Sequence, residues 1–289
     1  VQAIPGEPIR AVTPSGRTLA GAAYGPVDGT PVLFVAGAAT GKAMRFGDDQ
    51  LGRRSVRLLC LDRPGMGDSD PDPERTVAST AEDYRVFASA ALGAAAPSLP
   101  VVANSQGSVF GLEIAARGWA SSLTLVSPAD EVAHPAIHRM LPAQVAELVD
   151  LVRDDPDAAR GVFAAFTAEA MEQMVLTGSP ERDRAVYEDP AFAAVYRAAL
   201  AEGFANGGAG YVADTMMAMS PWSVDPGAVT CPVAVLFGAD DRSHSPDLGE
   251  TLAGRIPGSS RRVLPGEGGS LLWTRADLVL DVALGRRRG

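Results

Sequence analysis

Lysine is almost absent from these 289 residues, histidine occurs three times and cysteine twice. Lys42 is the one lysine, so nearly every basic group is arginine, and alanine and glycine are heavily used. That bias reads as the signature of a GC-rich bacterial genome and assigns no function. Cys60 and Cys231 stand in apolar runs of the kind that form interior strands, where a thiol behaves as a small buried hydrophobe. Both are expected to be reduced. No run of 18 or more apolar residues occurs, and Val1 to Arg10, with Pro5 and Pro8, lacks the apolar stretch of a secretory signal. The expected setting is the cytoplasm, with no membrane partner. Positive charge is also short. A formal net charge of −10 gives long-range attraction to nucleic acid or anionic membranes the wrong sign, and a small neutral or apolar substrate fits better. The composition leaves the oligomeric state open.

What is present is enough apolar sequence, 46% of residues, to bury a core without disulfides or metals. Val12 to Ala23 alternates around Pro14-Ser15-Gly16-Arg17 and predicts an opening hairpin. Apolar runs at Val32 to Val35, Arg57 to Leu61, Val101 to Ala103, Leu123 to Val126 and Val233 to Phe237 read as strands. Amphipathic stretches at Thr80 to Leu92 and Gly107 to Arg117 lie on either side of the third run. This alternation predicts an α/β fold with a mostly parallel sheet covered on both faces. Residues 129–220 break the rhythm: helical in pattern, rich in Ala, Met and Phe, and punctuated by Pro156, Pro180 and Pro190. The expected organisation is a core of residues 1–128 and 221–289 with a helical lid inserted at 129–220. Arg286 to Arg288 read as a solvated tail.

Val101 to Gly107 is an apolar strand that runs through Asn104-Ser105-Gln106 into a helix. A small residue two positions either side of a serine, at a strand-to-helix turn, is the pattern of a nucleophile elbow. Here the small residues are Ala103 and Gly107, and alanine replaces the more usual glycine. A serine capping the helix N-terminus is the competing reading. Ala36-Gly37-Ala38 follows the first parallel strand, and Leu61 to Asp70 forms a Gly- and Pro-rich loop after the next. Farther on come Phe237-Gly238-Ala239-Asp240-Asp241-Arg242, ending at Pro246, and Val263-Leu264-Pro265-Gly266-Glu267-Gly268-Gly269.

In these motifs and their order the chain resembles the α/β-hydrolase family. The resemblance implies Ser105 as nucleophile, the backbone N–H groups of Ala38 and Gln106 as an oxyanion hole, and Asp241 as the catalytic acid. Asp240 and Asp130 are weaker candidates for that acid. It gives the Leu61 to Asp70 loop a structural role, and it calls for neither cofactor nor metal. The family's short strand ends in Pro-Gly-x-Gly-His, and four of those five positions match. The fifth, the general base, is Gly269.

None of the three histidines replaces that base by sequence logic. His244 lies three residues beyond Asp241 and would have to fold back across the acid to reach Ser105. His134 and His138, four apart, share a helix face without a third metal ligand at convincing spacing. Glu267 is a carboxylate, a poor base for a serine hydroxyl. Loss of a triad histidine costs about 10⁶ in kcat, so ester turnover is expected to be very slow. Three readings stay open: a serine hydrolase of small apolar esters in which glycine has replaced the histidine, a non-hydrolytic cyclase, lyase or isomerase using the same pocket, and a silent binding protein. Phe163, Phe166, Met171, Met174, Phe204, Met216, Met217, Met219 and Trp222 are the expected lining of the insert, with Met216, Met217, Trp222 and Phe166 as the substrate-binding candidates among them.

Overall fold

The computed structural model describes residues 5–95 and 98–286. Eight strands form one sheet: β1 Glu7–Val12, β2 Thr18–Tyr24, β3 Thr30–Val35, β4 Val56–Leu61, β5 Leu99–Ser105, β6 Ala120–Pro128, β7 Val233–Gly238 and β8 Ser260–Leu264. Their order is β1-β2-β4-β3-β5-β6-β7-β8. The opening hairpin is antiparallel, and β2 meets β4 antiparallel. From β4 to β8 every pairing is parallel.

Alternate residues of each strand feed opposite faces, as the pleat requires. On one face Leu33, Val35, Leu59, Val101, Ala103, Leu125 and Phe237 pack with Tyr84, Phe87, Val109 and Phe110. On the other, Val32, Phe34, Leu58, Cys60, Val102, Val126 and Leu236 pack with Leu272, Val279 and Leu280. Both faces are covered, which is why the parallel strands read as continuous apolar runs. Cys60 and Cys231 are free thiols.

The first long helix runs Val77–Leu92, three residues earlier than its apolar periodicity suggests. A capping box sets this start: Thr76 Oγ1 accepts the Ser79 N–H at 3.1 Å, and Ser79 Oγ accepts the Thr76 N–H at 2.8 Å. The helix after β5, Ser108–Ala116, begins at Gly107 without a side-chain cap, so Ser105 is not its N-cap. This helix lies close on the sheet. A β-carbon on Gly111 would come 2.6 Å from that of Ala103, so the bare Gly111 makes room for alanine at the first small position of the elbow.

Between β6 and β7 the chain is helical. Its helices are Pro135–His138, Ala143–Asp154, Pro156–Ala164, Ala168–Gly178, Glu181–Glu188, Pro190–Gly203 and Ala209–Met219. None of the described helices is long and apolar enough to cross a membrane. Arg287 and Arg288 of the expected tail lie outside the described residues. Arg286 donates to the Arg54 carbonyl at 3.2 Å.

Candidate active site

At the end of β5 the backbone of Ser105 turns left-handed, with φ of 51°. A non-glycine residue adopts that region at an energetic cost and keeps it only where the surroundings fix it. Two approaches fix it here. A β-carbon on Gly107 would run into the carbonyl oxygens of Val35 and Ala36, so glycine is required there. A β-carbon on Gly37 would come 3.2 Å from that of Ser105, so the β3 loop lies directly against the serine. Among the described residues, neither the Ala38 nor the Gln106 backbone N–H is donated to another backbone carbonyl. Both groups remain available to a ligand oxygen.

The β3 loop is held from behind by Arg63. Its guanidinium, with no solvent exposure, donates to the Ala36 carbonyl at 2.9 Å and to the Gly37 carbonyl at 2.8 Å. Its Nε pairs with Asp214 at 2.5 Å, and Arg75 completes the cluster on the other carboxylate oxygen. The Leu61 to Asp70 loop thus contributes more than a turn: it clamps the carbonyl side of the segment that carries the Ala38 N–H.

Asp241, after β7, is buried. Its carboxylate accepts the Ser243 N–H at 3.0 Å and faces His244 Nδ1 at 3.0 and 2.9 Å. Burial pushes this carboxyl up, but the charge and hydrogen bond of His244, with the Ser243 N–H, outweigh it and hold Asp241 below the usual carboxylate range. Burial likewise pulls the imidazole down, and the Asp241 charge and hydrogen bond, assisted by Asp183, reverse this and raise it. The ring does fold back onto the acid, the placement that its position three residues along the same loop made difficult to foresee. Asp240 is exposed at the surface. Asp130 is buried and accepts from Ser245 Oγ at 2.9 Å, which pins the acid loop and leaves Asp130 apart from the imidazole.

Gly269 follows β8 and faces this pair. A β-carbon there would sit 3.2 Å from Asp241 Oδ1, 3.2 Å from His244 Cε1 and 3.3 Å from His244 Nδ1. Ser105, His244 and Gly269 line one cavity of about 190 Å³, together with Gly37, Ala38, Met171, Met174, Tyr187, Tyr196 and Trp273. Among the described residues, no hydrogen bond joins His244 to Ser105.

Residues 32–282 match the model of the alpha/beta hydrolase family. The chain belongs to that family. Among solved structures, this alpha/beta hydrolase is similar to a hydrolase from Pseudomonas aeruginosa PA01, with 19% identity, TM-score 0.70, and coverage of 96% of this chain and 98% of the other. It is similar to the enol-lactonase from Burkholderia xenovorans LB400, at 17% identity, TM-score 0.68, and 96% and 98% coverage. An esterase from Thermogutta terrifontis shares 20% identity, TM-score 0.61, and 97% coverage of each chain. At these identities the likeness is one of fold. Among curated protein sequences none matches significantly.

The hydrolase places the remaining candidates as follows. Met216 is buried in the core beneath its helix. Met217 and Trp222 pack against the opposite core, with the indole N–H on the Ala218 carbonyl at 3.1 Å. Phe166 lies beside the Tyr211 ring. None of these four lines the Ser105 cavity; the helix Ala209–Met219 packs chiefly against the helices Pro156–Ala164 and Ala143–Asp154. The walls come from Met171 and Met174 of the expected lining, on the helix Ala168–Gly178, and from Tyr187, Tyr196 and Trp273, whose rings pack on one another or on Phe192. His134 caps its helix through Nδ1, His138 faces Asp150 at 3.2 Å, and Glu267 accepts from Thr274 at 2.9 Å. Arg63, Asp183 and the aromatic wall were not singled out from the sequence, where the one available signal was a single arginine among the Gly, Pro and Asp residues of the Leu61 to Asp70 loop.

Proposed function

We propose that this alpha/beta hydrolase is a serine hydrolase of a small apolar ester or related carbonyl compound, with Ser105 as the nucleophile. The observation that carries the reading is the left-handed Ser105 backbone beside two undonated N–H groups, Ala38 and Gln106. Attack by Ser105 Oγ on a carbonyl carbon moves the carbonyl π electrons onto oxygen. The two N–H groups then stabilise that oxyanion without reorganising, the largest single contribution in acyl transfer. Arg63 supports this by holding the loop from its carbonyl side.

Substrate size and polarity follow from the cavity. About 190 Å³ lies below the usual range for drug-sized ligands, so a short acyl group fits. Methionine walls adapt to irregular apolar shapes. The helices of residues 129–220 act as the lid over this cavity. The free thiols accord with a cytoplasmic setting.

Intact-mass spectrometry after exposure to p-nitrophenyl acetate tests the reading. One acetyl group per chain, located on Ser105 by peptide mapping and absent from Ser105→Ala, is the expected result. Acetylation that persists equally in Ser105→Ala would refute it.

A further inference from the structure

The geometry points to His244 as the general base of this hydrolase, delivered from the loop of its own catalytic acid instead of from the loop after β8. This inference rests on the serine-hydrolase reading of Ser105. Its starting point is spatial. A side chain projecting from Gly269 would meet the His244 ring and the Asp241 carboxylate at 3.2–3.3 Å. The imidazole therefore fills the space into which a residue at 269 would extend, on the same acid and in the same cavity as Ser105.

Two loops are drawn together to allow this. The Asp240 N–H donates to the Glu267 carbonyl at 2.9 Å, and the Ala239 N–H to the Leu264 carbonyl at 2.9 Å. Gly238 lies so close to Glu267 and Gly268 that a β-carbon would clash with their backbone. Beyond the ring, Ser245 is tied to Asp130 and to Asp247, both at 2.9 Å. His244 is thus anchored on both sides in sequence. Glycine at 269 gives the ring this room, since a β-carbon there would press on it at 3.2–3.3 Å.

The hydrogen bond sets the tautomer. With Nδ1–H donated to Asp241, the neutral ring presents Nε2 as acceptor, the form a base needs. The charged and titratable groups around it are Asp241 on its own loop, with Asp183 and Tyr187 on the helix Glu181–Glu188. Catalytic hydrogen bonds commonly tighten only in the substrate complex, so a His244–Ser105 hydrogen bond is not required in the free protein.

The proton balance closes. As Ser105 Oγ bonds to the carbonyl carbon, its proton passes to His244 Nε2. When the tetrahedral intermediate collapses, the carbon–oxygen bond to the alcohol breaks and Nε2–H protonates the departing oxygen. Water then attacks the acyl-enzyme and gives a proton to Nε2. That proton returns to Ser105 as the acid leaves, and the net reaction is ester plus water to acid plus alcohol.

Hydrolysis of p-nitrophenyl acetate by four folded chains tests this: the parent, His244→Gln, His244→Ala and the double variant Gly269→His with His244→Ala. The expected result is parent turnover that His244→Gln lowers by about 10³-fold or more. Its dependence on a basic group disappears from the pH profile, and added imidazole partly rescues His244→Ala. Gln keeps a hydrogen bond to Asp241 but cannot cycle a proton, so a merely structural role would leave its profile intact. Turnover unchanged in His244→Gln would overturn the assignment. So would an inactive parent beside an active, Ser105-dependent double variant, and in that outcome the serine-hydrolase reading survives. If all four chains were inactive, both readings would fall.

Discussion

Asp183 Oδ2 accepts the backbone N–H of Gly269 at 2.9 Å, so the helix Glu181–Glu188 is latched onto the loop that faces Asp241. The other carboxylate oxygen takes the Ser270 N–H at 3.0 Å and the Ser270 hydroxyl at 2.5 Å. Gly268 is bare because a β-carbon there would collide with the same carboxylate. Replacing Asp183 by Ala would leave two buried N–H groups unpaired, at about 1–3 kcal/mol each. Urea unfolding of Asp183→Ala should show a combined loss of about 2–6 kcal/mol. Its pH–rate profile should also move to lower pH, because a charge that raises His244 has gone.

Arg63 joins the candidate oxyanion loop to the helix Ala209–Met219 through Asp214. Arg63→Met leaves a buried carboxylate with Arg75 alone and the Ala36 carbonyl without its donor, while the Gly37 carbonyl keeps only the Thr40 hydroxyl at 3.2 Å. Breaking one partner of a buried ion pair costs about 3–5 kcal/mol, and that loss is expected in urea unfolding. Acylation by p-nitrophenyl acetate, measured on the fraction still folded, should also slow, since the Ala38 N–H would no longer be held in place. A stability loss with an unaltered acylation rate would confine Arg63 to the fold.

Ala103 and Gly111 form a size-matched pair. Gly111→Ala forces a contact at 2.6 Å between β-carbons, and overpacking of this kind costs about 1–3 kcal/mol. Adding Ala103→Gly should recover most of it. A double-mutant cycle in urea therefore predicts a coupling energy above about 0.5 kcal/mol, and simple additivity would contradict the pairing.

The Asp241–His244 pair makes stability depend on pH in a defined window. Asp241 is depressed in the folded state, so its contribution is present above the unfolded carboxylate value, about 3.9, and is lost as pH falls through the folded one. His244 is raised, so its contribution is full below about 6.5 and is lost as pH rises through the folded value. The two overlap between roughly pH 4 and 6.5. The stability difference between parent and His244→Gln, followed by urea midpoint, should be greatest there and shrink on both sides.

The sequence by itself determined the strands, their order of use and the elbow. These depend on near neighbours: apolar runs long enough for buried strands, a small residue either side of Ser105, and a glycine where β3 ends. Even the shift of the helix start to Val77 follows from Thr76 and Ser79, three residues apart. Helix faces were less legible. Met171 and Met216 are equally apolar in sequence and both are buried in one core cluster, yet only Met171 reaches the cavity, because Ala209–Met219 packs chiefly against the helix Pro156–Ala164. Only the tertiary structure decided what stands beside Asp241. The family pattern puts glycine where a histidine is expected, and spacing alone places His244 too near the acid in sequence to bridge it to Ser105. The loops after β7 and β8 close on each other through backbone hydrogen bonds and the bare α-carbons of Gly238 and Gly269. Those contacts join residues about 25 positions apart or more, so no local pattern records them. They set a ring from one loop into the space that a side chain of the other would occupy.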